Sequence, residues 1–306
     1  EDVNASEVKI GAHELPAVTQ LFTEPYMVAF LLDNSLGAWW VSKIAGLRDG
    51  KELRPGACNI LKTAGTEEEL RKFFALPGVP LEYLRFIKTE SGSWSTAAGI
   101  FEKWPNNLSE LKTLDPSCGS GHFLVAALLM LVSMQMELEK LTAREAVDLV
   151  LRDNIHGLEL DRRCVELAAF ALAFTAWKYP EAGGYRILPE LNVACSGLAV
   201  SLTKDEWKQL AFDKHNYKSA MAMIYDVFQN APVLGSLLNP RKTDASKLIN
   251  WDELSNTVKQ ALSMEQTEEQ HEAGVVAHGL VKAALMLSNS YNWVITNVPY
   301  LAREKQ

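Results

Sequence analysis

The sequence predicts an α/β fold built on a parallel sheet, and three observations carry that prediction. Between Leu111 and Leu202, short β-rich runs alternate with long apolar runs in the order strand, helix, strand, helix, strand. A Gly-bearing turn, DPSCGSG, joins the first strand to its helix, and an acid-terminated GLELD ends the second. After roughly ninety residues of helical pattern a further strand, YNWVIT, returns.

Along the chain, FTEPYMVAFLL opens a helix for which Thr23 is a suitable cap and Glu24 and Pro25 are suitable first-turn residues. Met27, Phe30, Leu31 and Leu36 supply apolar positions at helical spacing. TEEELRKFF predicts a helix from Thr66, within a mixed region that reads as a helical subdomain. LKTL is then a strand, and the run from His122 is a long apolar helix. Thr142 with Glu145 forms a capping-box signature for the next helix, through about Arg152. IHGLELD is the second strand, RRCVELAAFALAFTAWKY a helix apolar nearly all round, and LNVACSGL the third strand. Beyond Leu202, TKDEWKQL carries another capping box (Thr203, Glu206), followed by helices through AMAMIYDVF, WDELSNTVKQAL and EAGVVAHGLVKAALML, with a loop near LLNPRKTD.

Composition narrows the functional classes. With 306 residues, 48% apolar and 22% charged, the chain has material for a sizeable core. Thirty basic against 38 acidic side chains give net charge −8, which argues against gripping nucleic acid by bulk electrostatics. The apolar runs Phe123 to Met134 and Leu167 to Phe174 are shorter than the roughly 20 residues of a membrane span and read as buried helices. No membrane partner is expected. Cys58, Cys118, Cys164 and Cys195 form no CxxC pair, and the histidines have no metal-ligand spacing, so a reducing cytoplasm without a metal site is expected. No secretory signal is visible, and from the missing initiator Met a tag scar or an excised fragment is expected.

The chemistry concentrates at strand ends. Glycines in Asp115 to Gly121 let the backbone approach a ligand, and the following helix offers free N–H groups to a carboxylate. The segment lacks the third glycine of the dinucleotide pattern and the Lys-Ser/Thr of a phosphate-binding loop. Glu159 and Asp161 stand where an acid accepts hydrogen bonds from ribose hydroxyls, although capping the next helix accounts equally well for Asp161. Trp39 and Trp40 read as core, and His122 as a helix-start packing residue.

Read together, DPSCGSGHFL, GLELD followed by VELA, and a strand ending in NVPY resemble the motifs of S-adenosylmethionine-dependent adenine-N6 DNA methyltransferases. FTEPYMVAFLL resembles their upstream cofactor-binding helix. Its start, the insertion and CSGLAVSLTKDEW are most similar to methyltransferases of bacteriophage-exclusion (BREX) defence, with type IIG restriction-methylation enzymes close behind. The resemblance implies a Rossmann-like methyltransferase core, incomplete here, divided as a helical N-terminal subdomain (1–110), a cofactor-binding part (111–202), a helical insertion (203–290) and a strand with the catalytic motif (291–306). It places S-adenosylmethionine against Asp115, Pro116, Cys118, Gly119 and Gly121, its ribose at Glu159 beside Asp161, and a pocket edge at Thr23 and Tyr26. It makes Asn297 Oδ1 and the Val298 carbonyl the acceptors for the amino group of a flipped adenine in double-stranded DNA, with Pro299 holding the corner and Tyr300 stacking on the base. It further implies other phage-defence proteins as partners.

Two positions depart from the family pattern. Val298 stands where proline is usual, keeping the carbonyl while losing the locked φ, and Pro299 still favours an extended conformation there. Cys195 and Ser196 stand where many relatives place an acid near the cofactor's adenine; the Ser196 hydroxyl still offers an acceptor. A protein-glutamine methyltransferase uses a similar corner, and an inactive cofactor-binding or assembly module is the alternative from another class. The end just beyond Tyr300 is expected to be a break within a larger catalytic domain.

Overall fold

The computed structural model describes residues 23–197, 204–205, 222, 225–229, 231–240 and 268–297. The chain starts with helix α1 (Pro25–Leu32), which runs through a π-helical turn, Asp33–Gly37, into α2 (Ala38–Ile44). Thr23 does not cap α1. The cap position is Glu24, without a side-chain bond, and Pro25 occupies the first turn, where its missing N–H costs nothing. The buried face of α1 also differs from the expected one. Val28 and Leu32 point inward, while Met27, Phe30 and Leu31 are exposed.

Helices α3 (Ala57–Thr63) and α4 (Glu67–Phe74) follow, the latter capped by Thr66, whose Oγ1 accepts from Glu69 N at 3.3 Å. The N-terminal region is not purely helical, since β1 (Phe86–Lys88) and β2 (Trp94–Thr96) form an antiparallel hairpin. Trp39, Trp40 and Phe74 are fully buried, and Trp40 Nε1 donates to the Phe74 carbonyl at 2.9 Å, which satisfies the indole's only donor.

The sheet begins with β3 (Thr113–Leu114), after which α5 (His122–Glu139) starts at Gly121. By length and composition α5 is apolar enough to cross a membrane, yet it buries residues such as Leu124, Leu128 and Leu131 against α1, α6 and α7. Helix α6 (Ala143–Asp153) carries the full reciprocal box: Thr142 Oγ1 accepts from Glu145 N, and Glu145 Oε2 accepts from Thr142 N at 3.0 Å. Then come β4 (His156–Glu159), α7 (Arg162–Lys178) and β5 (Asn192–Cys195). Only Ala168, Leu172 and Ala176 of α7 are buried. Leu167, Phe170 and Phe174 are exposed, contrary to the expectation of a buried helix. Helix α8 (Glu268–Ser288) precedes β6 (Trp293–Val294). Thr203, Glu206 and the WDELSNTVKQAL segment lie outside the described residues.

All four of these strands are parallel. β4 pairs with β5 and β3 with β6, and the two pairs are joined by an Asp115–Gly157 bridge, with Asp115 N donating to His156 O and Leu158 N to Asp115 O. The order is therefore β5-β4-β3-β6. Alternation along the strands serves two cores, as a sheet covered on both faces requires. Val193, Trp293 and Ile295 join the cluster of α5, α6 and α7, while Leu114, Leu158 and Ala194 join Leu280, Val281 and Ala284 of α8.

Candidate functional site

The carboxyl ends of β3, β4, β5 and β6 place the predicted polar residues along one edge of the sheet, where ligands bind in open parallel sheets. Asp115, directly after β3, is 1% exposed. Burial pushes its carboxyl up to about 7, and the nearby Glu159 charge adds to the rise; the Thr296 hydroxyl and the Ser117 N–H, 3.1 Å from Oδ1, oppose it. Among the described residues no Lys or Arg pairs with it. A buried acid in that condition favours a cationic ligand group.

The loop that follows is shaped by two glycines. Gly121 has φ +91°, and a Cβ there would come within 3.1 Å of Ala168 in α7, so only glycine allows α5 to start this close to its neighbour. Gly119 has φ +53° and faces open space, with no atom within 4 Å of where a Cβ would stand. Its N–H donates to Glu159 Oε2 at 2.8 Å. Pro116 is half-buried, while Cys118 is buried and its thiol is pushed well up by that burial, which makes it a packing residue in its protonated form.

Glu159 ends β4 and is held by backbone donors. Besides Gly119, Leu160 N and Asp161 N donate to Oε1 at 2.7 and 3.2 Å. Its orientation is thus fixed before any ligand arrives, and each oxygen retains acceptor capacity. Asp161 instead caps α7, Oδ1 accepting from Arg163 N at 2.8 Å. It also pairs with the Arg163 guanidinium, whose hydrogen bond holds its carboxyl below the usual range. Ser196 is buried; its N–H donates to the Glu159 carbonyl at 2.8 Å and its hydroxyl to the same carbonyl at 3.3 Å. Cys195 donates weakly to Leu160 O.

Asn297, after β6, is exposed, and its Nδ2 donates to Thr23 Oγ1 at 3.0 Å across 274 positions of sequence. Val298, Pro299 and Tyr300 lie outside the described residues. Tyr26 lines an exposed apolar groove of about 300 Å³ with Met27, Phe30, Leu31 and Tyr83, and no described hydrogen bond links it to the glycine loop. Sequence reasoning misses Thr296. The available signal is its place immediately before Asn297 on a strand that the topology sets beside Asp115.

The residues around this edge are similar to those of known proteins. Residues 92–186, spanning the glycine loop and Glu159, match the family model "MmeI, DNA-methyltransferase domain". Two relatives are then particular. The chain is 25% identical to the adenine-specific methyltransferase BrxX of Escherichia coli O9:H4 (strain HS), over 95% of its own length and 23% of that protein. It is 26% identical to the adenine-specific methyltransferase PglX of Lacticaseibacillus casei (strain Zhang), over 100% of its length and again 23% of the relative. The chain thus spans about a quarter of the length of these curated relatives.

Proposed function

We propose that this chain carries the cofactor-binding and methyl-transfer residues of an S-adenosylmethionine-dependent adenine-N6 DNA methyltransferase, marking DNA in the cytoplasm for phage defence or restriction-modification. The proposal includes a Rossmann-like core at 111–202 and 291–306, a helical insertion at 203–290 and an N-terminal subdomain at 1–110. The observation that supports it best is the convergence of Asp115, Gly119, Glu159 and Asn297 at the carboxyl ends of adjacent parallel strands. The likeness to adenine-specific methyltransferases along nearly the whole chain agrees with it.

The cofactor would supply an electrophilic methyl group on a sulfonium, and the residues present fit such a ligand. Asp115 is a buried acid without a cationic partner among the described residues, suited to an ammonium. Gly119 leaves backbone-level space beside it, and Glu159 presents acceptors fixed for a ribose. The adenine amino group is a weak nucleophile because its lone pair is delocalised into the ring. Asn297 Oδ1 and the Val298 carbonyl would accept its hydrogens and let the nitrogen pyramidalise, while Tyr300 would hold the extruded base by stacking. Orientation of the two reactants is the largest contribution such a site makes. Double-stranded DNA is the substrate on this reading, and other defence proteins are partners of the intact protein.

The test is methyl transfer from labelled S-adenosylmethionine by the intact protein, with N6-methyladenine read by mass spectrometry. Duplex DNA is expected to be labelled, and Asn297→Ala is expected to lower the rate by about 100-fold or more while cofactor binding persists. Labelling confined to a glutamine-bearing release factor would overturn the choice of substrate. Cofactor binding with no transfer to either would favour the assembly-module alternative.

A further inference from the structure

The Asn297–Thr23 hydrogen bond has a role that neither the glycine loop nor the comparisons assign. We propose that Thr23 is a positioning residue that anchors the Asn297 amide with its Oδ1 toward the substrate once the substrate amino group is bound, an inference that rests on the proposed adenine methylation. An asparagine amide has two nearly isosteric orientations, differing by a half-turn that exchanges an acceptor for a donor. Adenine's amino group needs an acceptor. The opposite orientation would set one NH2 against another.

In the structure Nδ2 points at Thr23 Oγ1, 3.0 Å away, and among the described residues Oδ1 has no partner. Thr23 is free for this because it is not committed to the helix: Glu24 holds the cap position of α1. A hydroxyl can serve either orientation while the site is empty. Once the substrate amino group occupies the other side, only the orientation with Nδ2 on Thr23 satisfies both neighbours. Thr23 is itself half-buried at the start of α1, and α1 packs on α5, the helix that the Gly121 turn begins. The segment that orients the amide is therefore anchored to the helix that follows the glycine loop.

The test uses the intact protein carrying Thr23→Val, which keeps the shape and removes the acceptor, and Thr23→Ser, which keeps the hydroxyl. After the methylated sequence is mapped in wild-type product, single-turnover transfer, KM for that duplex and cofactor affinity by calorimetry are measured. With cofactor held saturating for each protein, Thr23→Val is expected to lower the transfer rate about 10- to 100-fold with KM for the duplex within about twofold of wild type, and Thr23→Ser to restore the rate to within about threefold. A duplex with 2-aminopurine at the target, which lacks the 6-amino group, is expected to bind the Thr23→Val protein with unchanged affinity and fluorescence gain, which a misfolded variant would not match. Wild-type transfer by Thr23→Val, or a loss confined to cofactor affinity, would overturn the proposal while leaving adenine methylation intact. A wild-type protein inactive on adenine would overturn both.

Discussion

At the scale of single residues, Asp115 makes the sharpest claim because its charge state changes near neutrality. Its carboxyl titrates at about 7 in the folded protein, against an ordinary 3.8. The sign follows from proton counting. Between these values the unfolded chain has released the proton and the native protein still holds it, so stability falls as pH rises through the window and levels off above about 7. Asp115→Asn cannot ionise and escapes this loss. Denaturant unfolding is expected to show the variant gaining on wild type by about 1 kcal/mol or more between pH 4 and 7.5, a flat difference being the contrary result. The same group governs ligand binding on the proposed function. A cationic ligand favours the ionised form, so cofactor affinity in calorimetric titrations is expected to strengthen several-fold from pH 6 to 7.5 in wild type and to change little in Asp115→Asn. Asp33, also buried and raised to about 6, adds a stability slope of the same sign and is common to both proteins.

At the scale of elements, local hydrogen bonds separate what the sequence reveals from what it hides. The starts of α4 and α6 are legible because Thr66 and Thr142 bond within three residues of themselves. Removing the Thr142 hydroxyl with Thr142→Ala is expected to cost about 1 kcal/mol in denaturant midpoint experiments. The strand ends bearing Asp115, Glu159 and Asn297 are legible for a related reason, since alternating strand and helix patterns fix where each strand stops. Which face of a helix is buried depends on distant partners, and periodicity alone misleads there. Met27, Phe30 and Leu31 are exposed in α1, and Leu167, Phe170 and Phe174 in α7, because the contacts with α5 and the sheet select other faces. The β1–β2 hairpin is also hidden, since FIK and WST are three-residue strands whose pairing, not composition, defines them. Gly121 shows how local and non-local demands combine. Its positive φ and the approach of Ala168 both exclude a side chain, and Gly121→Ala is expected to lower stability by about 1–3 kcal/mol and to weaken cofactor binding measured in the same preparation.

At the scale of the whole molecule, the order β5-β4-β3-β6 is the property that assembles the site, and no stretch of sequence contains it. Periodicity indicates parallel strands; placing β6 beside β3, about 180 positions away, is a matter of tertiary pairing, as is the bond from Asn297 to Thr23. Net charge, by contrast, is readable directly and bears on how the proposed site would meet DNA. A chain of net charge −8 repels a polyanion at long range, so on the proposed function its phosphate contacts are expected to be few and local. Each neutralised phosphate releases counterions and contributes close to one unit to the slope of log affinity against log salt. Duplex binding by this 306-residue chain, followed by fluorescence anisotropy across a salt series, is therefore expected to give a slope no steeper than about −3. A slope of about −6 or steeper would mean that the basic side chains gather on one face strongly enough to overcome the acidic total, and DNA capture would then belong to this chain as well as the proposed chemistry.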